Sequence, residues 1–320
     1  MTLFRAARAV AESSGDGPID WDAAAAAAKA SVEPGDLSLS SAEHDGYARD
    51  VRDARDRVRE VAAVDFDLPA TVEVQNRHHW IDANVETFRR VMEPLAEEMR
   101  GPAFGSGVAR SVNTGTMGVT LAFLGNNVLG QYDPLLLAEG SDHALYFVHP
   151  NIGRVADALE VPEPRFRRWI AFHEVAHAAE FGAAPWLSAH LEERMQEGVE
   201  GLTEGRFDRG ALREVNVAMT AVEGYAELLM DRAFDDEYDD LRRKLDERRG
   251  GKGPVGKLVR RLLGLGMKRE QYERGKAFFD AVADERGVHG ASVVWESPDN
   301  LPSDEELDHP ERWLARVPAA

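Results

Sequence analysis

The chain has 320 residues, a formal charge of −19, 43% hydrophobic residues and 30% charged ones. Such a composition supports a folded core and excludes a disordered chain, and its acidity argues against nucleic-acid partners, which need a basic face. There is no cysteine, so disulfides, thiolate metal sites and a cysteine nucleophile are excluded, and any metal must be held by His, Asp or Glu.

Met1 to Ser13 carries Arg5 and Arg8 without a continuous apolar run or cleavage site, so a cytoplasmic location is expected. Helical periodicity then dominates. Trp21 to Val32 is Ala-rich. Tyr47 to Val64 sets Val51, Ala54, Val58 and Val61 among alternating Arg and Asp, an amphipathic helix with charged neighbours one turn apart. Trp80 to Met99 repeats the pattern through Ile81, Val85, Phe88, Met92 and Leu95. Phe104 to Leu124 is rich in small residues suited to close packing. Ser111 to Tyr132 carries no charge, but Asn113, Thr114, Asn126, Asn127 and Gln131 interrupt it. It reads as a buried helix and not a membrane span.

Strand signals are two: Leu68 to Gln75, with the alternating Thr71-Val72-Glu73-Val74, and Ala144 to Val148 between Gly140 and Pro150. From Pro164 the pattern is helical again. Pro162 and Pro164 mark a helix start and Gly182 its end. Ala184 to Leu202, Leu212 to Asp231 and Glu270 to Arg286 follow as helices. Arg242 to Lys268 is basic and holds Gly250, Gly251, Gly253 and Pro254, a loop between helices. Ser303 and Glu306 have capping-box spacing. No repeat or long linker divides the chain. The expectation is one mainly α (α+β) domain over 1–320, with a helical portion to about residue 100 and a metal-site portion after it.

The sharpest local feature is His173-Glu174-Val175-Ala176-His177. Its i, i+4 spacing puts both imidazoles on one helix face, where they can share an ion. Glu174 falls beside that face, placed to act on a metal-bound water as general base. The implied cofactor is Zn2+, with three protein ligands and an open position. Position 183 is Ala, so no third histidine follows six residues on. Glu223, in Val222-Glu223-Gly224-Tyr225-Ala226-Glu227, is the better third ligand, with Gly224 and Ala226 allowing close helix approach. Glu227, one turn on, can take the free N–H of a ligating histidine, and Asp231 extends the acidic stripe. Against this stands a solvated acidic face. Tyr225 is the first candidate for an oxyanion donor and His190 the second. The strand at Ala144 to Val148 offers an edge for an extended peptide. His78, His79, His143 and His149 read as solvent-facing.

The order of several further segments adds to the motif. These are Asn76-Arg77-His78-His79-Trp80-Ile81-Asp82-Ala83-Asn84, Leu129-Gly130-Gln131-Tyr132-Asp133, Phe147-Val148-His149-Pro150-Asn151-Ile152, Phe172 to His177, Pro185-Trp186-Leu187, Glu223-Gly224-Tyr225-Ala226, Gln271-Tyr272, and Trp295-Glu296-Ser297-Pro298 leading into Leu301-Pro302. In this ordered set, over most of its length, the chain resembles a family of zinc-dependent metalloproteases of zincin-like fold, often labelled as associated with biosynthesis of the deazaflavin redox coenzyme. Members often carry a histidine after the Glu-Gly pair, where this chain has Tyr225. The resemblance implies a zinc metallohydrolase, most directly a metallopeptidase acting on a peptide or protein substrate. The alternative is an accessory or binding protein of deazaflavin metabolism that reuses the fold. Neither nucleic acid nor membrane is an expected partner, and the oligomeric state is left open.

Only six of the 38 basic residues are lysines. Low Lys with abundant Asp and Glu resembles the proteins of salt-in halophiles, in this family a haloarchaeal member, where molar salt screens self-repulsion. The unfolding midpoint is then expected to rise with KCl.

Overall fold

The computed structural model describes residues 17–98, 107–133, 144–203, 209–234 and 269–319, with positions 6, 10, 240, 241, 243 and 244. Among these residues the sheet has three short strands, β1 (Thr71–Gln75), β2 (Gly130–Asp133) and β3 (Ala144–Val148), in the order β1-β3-β2. β3 is central, parallel to β1 and antiparallel to β2. Its sequence, Ala-Leu-Tyr-Phe-Val, alternates faces as a strand must. Leu145 and Phe147 enter the larger hydrophobic core, while Val148 enters a smaller cluster with Trp80, Ile81 and Leu121. Both edges of β3 are paired, which corrects the expectation that this strand is open to a peptide. The outer strand beside the helical core is β2.

The helices with both ends among the described residues are α1 (Trp21–Ser31), α2 (Ser41–Ala62), α3 (Arg77–Glu98), α4 (Gly107–Gly125), α5 (His149–Leu159), α6 (Glu163–Ala183), α7 (Leu187–Thr203), α8 (Arg209–Ala233), α9 (Arg269–Ser292), α10 (Asp304–Asp308) and α11 (Pro310–Arg316). The chain is thus mainly helical with a small sheet. Local chemistry starts several of them. Ser40 and Glu43 form a capping box on α2, and Ser303 and Glu306 form the expected one on α10. Prolines occupy the first turns of α5 and α6, where their missing N–H costs nothing. In α9 the regular helix breaks at Gly287 (φ 73°), one residue beyond its expected end.

Helix α6 is buried on nearly every side, so its apolar residues are not confined to one stripe. It packs against α2, α5, α8 and β2. Arg167 Nε donates to Asp50 Oδ2 at 2.7 Å, tying α6 to α2. Gly46 makes room for that guanidinium, since a Cβ there would lie 2.5 Å from Arg167 Nη2. Removing one partner of such a buried pair costs roughly 3–5 kcal/mol. Helices α8 and α9 cross at Gly224 and Gly275. A Cβ on Gly224 would sit 2.4 Å from the carbonyl carbon of Gly275, and one on Gly275 2.2 Å from Thr220 O. Gly224 therefore serves the α8–α9 crossing, while Ala226, fully buried, lies towards the core.

The uncharged run 111–132 is not one buried helix. α4 stops at Gly125 and β2 starts at Gly130. α4 also has an exposed face, with Val108, Val112 and Val119 at 77%, 61% and 71%. β2 contains no β-branched residue, and its pairing with β3 rather than its own propensity makes it a strand. His143 and nearly all of the basic stretch 242–268 lie outside the described residues.

Side-chain hydrogen bonds join segments far apart in sequence around this sheet. Trp80 Nε1 donates to Gln131 Oε1 at 2.7 Å, Gln131 Nε2 donates to Asn84 Oδ1 at 2.8 Å, and Asn84 Nδ2 donates to Trp80 O at 2.9 Å. Arg77 Nε donates to Asn151 Oδ1 at 2.7 Å, and Asn151 Nδ2 reaches the carbonyls of Gly125 and Val128. Thus α3 holds β2 from one side, and the start of α5 holds the turn that leads into it.

Candidate metal centre

Three ligand-type atoms, one each from His173, His177 and Glu223, lie within 4.8 Å of one another. The first two come from adjacent turns of α6 and the third from α8. The histidine rings are 4.7 Å apart and nearly perpendicular. His173 stacks on Trp169 one turn earlier, at 5.8 Å and 10°, so packing along α6 orients it. His173 and Glu223 are buried at 6% and 7%, and the His177 side chain is 13% exposed.

His177 Nδ1 lies 2.8 Å from Oε2 of Glu180, which is fully buried. The carboxylate must accept, so Nδ1 carries the proton and Nε2 is the nitrogen left for a ligand. Glu180 is three residues further along the same helix. The expected partner of a ligating histidine was Glu227. That residue is buried at 1% on α8 one turn from Glu223, and its charge pushes Glu223 up, while the carboxylate on His177 is Glu180. Asp231 leaves the stripe and pairs with Lys276 of α9 at 2.7 Å.

The electrostatics describe a buried excess of carboxylates. Burial raises Glu223 to about 8, with the Glu180, Glu174 and Glu227 charges adding to it and His177 opposing. Burial likewise raises Glu180 to about 7 against the pull of His177. Burial would push His177 down, but contact with Glu180 and the charges of Glu223 and Glu174 outweigh it and raise His177 to about 10. Glu223 Oε2 is buried without a hydrogen-bond partner among the described residues. A buried carboxylate oxygen with no donor is costly unless a cation or proton meets it. The set of two imidazoles and one carboxylate suits zinc among divalent ions. These residues therefore fit the metal.

Glu174 is 7% exposed, and burial pushes its carboxyl up, opposed by the His177 charge and by the Tyr132 N–H. That N–H donates to Glu174 Oε2 at 2.8 Å. Neither Glu180 nor the β2 amide was identified from sequence. The i, i+3 spacing from His177 was the available signal for the first, and none existed for the second.

Tyr225 is a correction. Two residues beyond Glu223 is about 200° around a helix, and the side chain points into the core. Its hydroxyl is 2.6 Å from Ser292 Oγ, and its ring packs against Phe279 and Trp295. That hydroxyl is bonded within the core, which leaves the oxyanion donor without a candidate at this position. His190 packs edge-on to Trp186 on α7 and is outside the three-ligand group. His78 contacts Val32 O at 2.7 Å, His79 is exposed, and His149 Nδ1 lies 3.1 Å from the Tyr47 hydroxyl.

The family described as zincin-like metallopeptidase matches residues 19–209 and 202–314 of the chain. A solved structure, "a putative hydrolase with a novel fold from Chloroflexus aurantiacus", is 29% identical, with a TM-score of 0.72 over 98% of this chain and 97% of that one. Among curated proteins no relative matches. No helix among the described residues is long and apolar enough to cross a membrane.

Proposed function

Since the chain belongs to the zincin-like metallopeptidase family, we propose that it is a zinc-dependent hydrolase of amide bonds in peptides or proteins. The observation that carries this reading is the convergence of His173, His177 and Glu223, with Glu174 beside them, in one buried cluster between α6 and α8. His173, His177 and Glu223 would hold the ion. When bound, it supplies Lewis-acid polarisation of a carbonyl and a more acidic water.

The remaining work falls to the protein. Glu180 fixes the His177 tautomer by accepting from Nδ1. Glu174, raised by burial, accepts the proton of the attacking water and returns it to the departing amine. A general base needs a pKa near the working pH for both transfers, and burial moves the carboxyl in that direction.

Metal content per chain is the first test, on protein purified in high salt without a nickel column. About one zinc per chain is expected. A peptide-library screen follows, with Glu174→Gln as control. Hydrolysis by the parent, reduced about 10²–10⁴-fold in the variant, is the expected result. No metal, and none taken up on adding zinc, overturns the reading.

A further inference from the structure

The outer edge of β2 carries half of that strand's peptide groups, and α6 lies against it. Gly130 pairs with Phe147 and Gln131 with Tyr146, and the Val148 N–H donates to Leu129 O at 2.8 Å. In an antiparallel ladder, alternate residues exchange hydrogen bonds with the partner strand. The exchanging positions here are Leu129, Gln131 and Asp133, so the amides of Gly130 and Tyr132 face away from β3. Glu174 meets both. The Tyr132 N–H donates to its Oε2 at 2.8 Å. A Cβ built on Gly130 would lie 2.6 Å from Glu174 Cγ, 2.7 Å from Oε1 and 2.8 Å from Ile170 Cγ2. Only a residue without a side chain leaves that carboxylate where it is. On its other flank the strand is fixed to α3 by the Trp80–Gln131–Asn84 hydrogen bonds.

We propose that β2 is the positioning strand of the general base. The Tyr132 N–H and the bare Cα of Gly130 hold the Glu174 carboxylate in one orientation beside the histidine pair, and the clamp to α3 holds the strand. This rests on the reading of Glu174 as base. It also assigns the edge a different task from substrate binding. The outward donor of Tyr132 is occupied by Glu174, so an extended peptide cannot pair at that N–H without releasing the base.

The test uses zinc-loaded full-length protein labelled with 15N-tyrosine, of which the chain has six. The Tyr132 amide proton is expected to move upfield in Glu174→Gln, because the bond is no longer charge-assisted, and in Gly130→Ala, because the carboxylate is displaced. Gly130→Ala should retain its zinc and lose about 100-fold in kcat, the scale of a misplacement near 1 Å, with little change in KM. Added to Glu174→Gln, it should cost almost nothing further, since both act through one carboxylate. A Tyr132 amide indifferent to Glu174→Gln overturns the proposal. So does a Gly130→Ala protein with parental kcat, or a loss that adds in full to that of Glu174→Gln. Should the parent cleave no peptide, the peptidase reading fails, and the amide shift alone decides whether β2 holds Glu174. It decides equally if Gly130→Ala does not fold.

Discussion

Among the described residues, two groups of histidine and glutamate bring their ligand-type atoms within 4.8 Å, and they differ in everything else that matters. His173, His177 and Glu223 are enclosed between α6 and α8. Glu43, His149 and Glu163 sit half-exposed where α2, α5 and α6 begin. In the second group each side chain already has employment. Glu43 Oε2 accepts from Ser40 N and Oγ at 2.7 and 2.6 Å in the α2 capping box, and these bonds hold its carboxyl below its ordinary value. His149 Nδ1 is met by the Tyr47 hydroxyl, with Glu163 at 3.7 Å. In the first group burial has pushed Glu223 up to about 8 and left its Oε2 without a donor among the described residues. Proximity of ligand types is therefore not what distinguishes a metal centre. The distinction is a buried carboxylate oxygen whose need for positive charge is not met by a hydrogen-bond donor.

Removing one ligand from each group gives the widest separation. Glu223→Ala is expected to take zinc from about one per chain to near none, measured by mass spectrometry after dialysis, while Glu163→Ala leaves metal content unchanged. Equal loss in both would end the distinction. Glu174→Gln should keep its zinc and lose about 10²–10⁴-fold in peptide hydrolysis, the range for removing a general base. Loss of zinc from that variant would show that Glu174 holds metal instead.

How legible this was from sequence follows the range of each interaction. The motif helix and Glu223 were readable because i, i+4 spacing and a compact Val-Glu-Gly-Tyr-Ala-Glu run are local. Glu180 was equally local, but in a chain with 57 acidic residues a carboxylate one turn from a histidine carries little signal until burial singles it out. Tyr225 misled because nearness in sequence is not nearness on a helix. β2 was invisible: Gly-Gln-Tyr-Asp has little strand propensity, and its pairing with β3 is tertiary. The same reason hid the central place of β3, since alternation shows a strand but not its neighbours. The Asn76 to Asn84 and Leu129 to Asp133 segments marked the resemblance without showing that Trp80, Asn84 and Gln131 bond to one another.

Smaller effects sharpen the contrast. Glu180→Gln is expected to weaken zinc affinity about 10–100-fold in chelator competition, the usual cost of losing a carboxylate behind a ligating histidine, and Glu227→Gln to weaken it less. The reverse order would return the role to Glu227. The pH dependence of stability should have opposite signs at the two groups. Glu223 and Glu180 titrate near 8 and 7 in the folded, metal-free chain against 4.5 for a free glutamate. The folded state then binds more protons over that window, and stability falls as pH rises through it. His177, raised to about 10, adds to the same trend, its contribution fading as pH climbs through that value. Glu43 is lowered, so what it contributes is present above 4.5 and lost on acidification. The melting temperature of metal-free protein is thus expected to fall between pH 5 and 8 at fixed ionic strength, and zinc to cancel the slope by taking the place of the protons. A metal-free protein that grows more stable over that interval would contradict the buried carboxylates.

The mildest perturbation tests whether the second group has only a structural task. Ser40 Oγ accepts from Glu43 N, and Glu43 Oε2 answers to Ser40 N, so Ser40→Ala removes one arm of the capping box and leaves both glutamates and His149 in place. The expected loss is about 1 kcal/mol of stability, read as a small drop in melting temperature, with zinc content and zinc affinity unchanged. If Glu43 and His149 held an ion instead, loss of the Ser40 hydroxyl donor to Glu43 Oε2 would strengthen binding, and zinc would raise the melting temperature of Ser40→Ala more than that of the parent. A capping carboxylate and a ligating one compete for the same lone pairs, and at Glu43 the helix start has taken them.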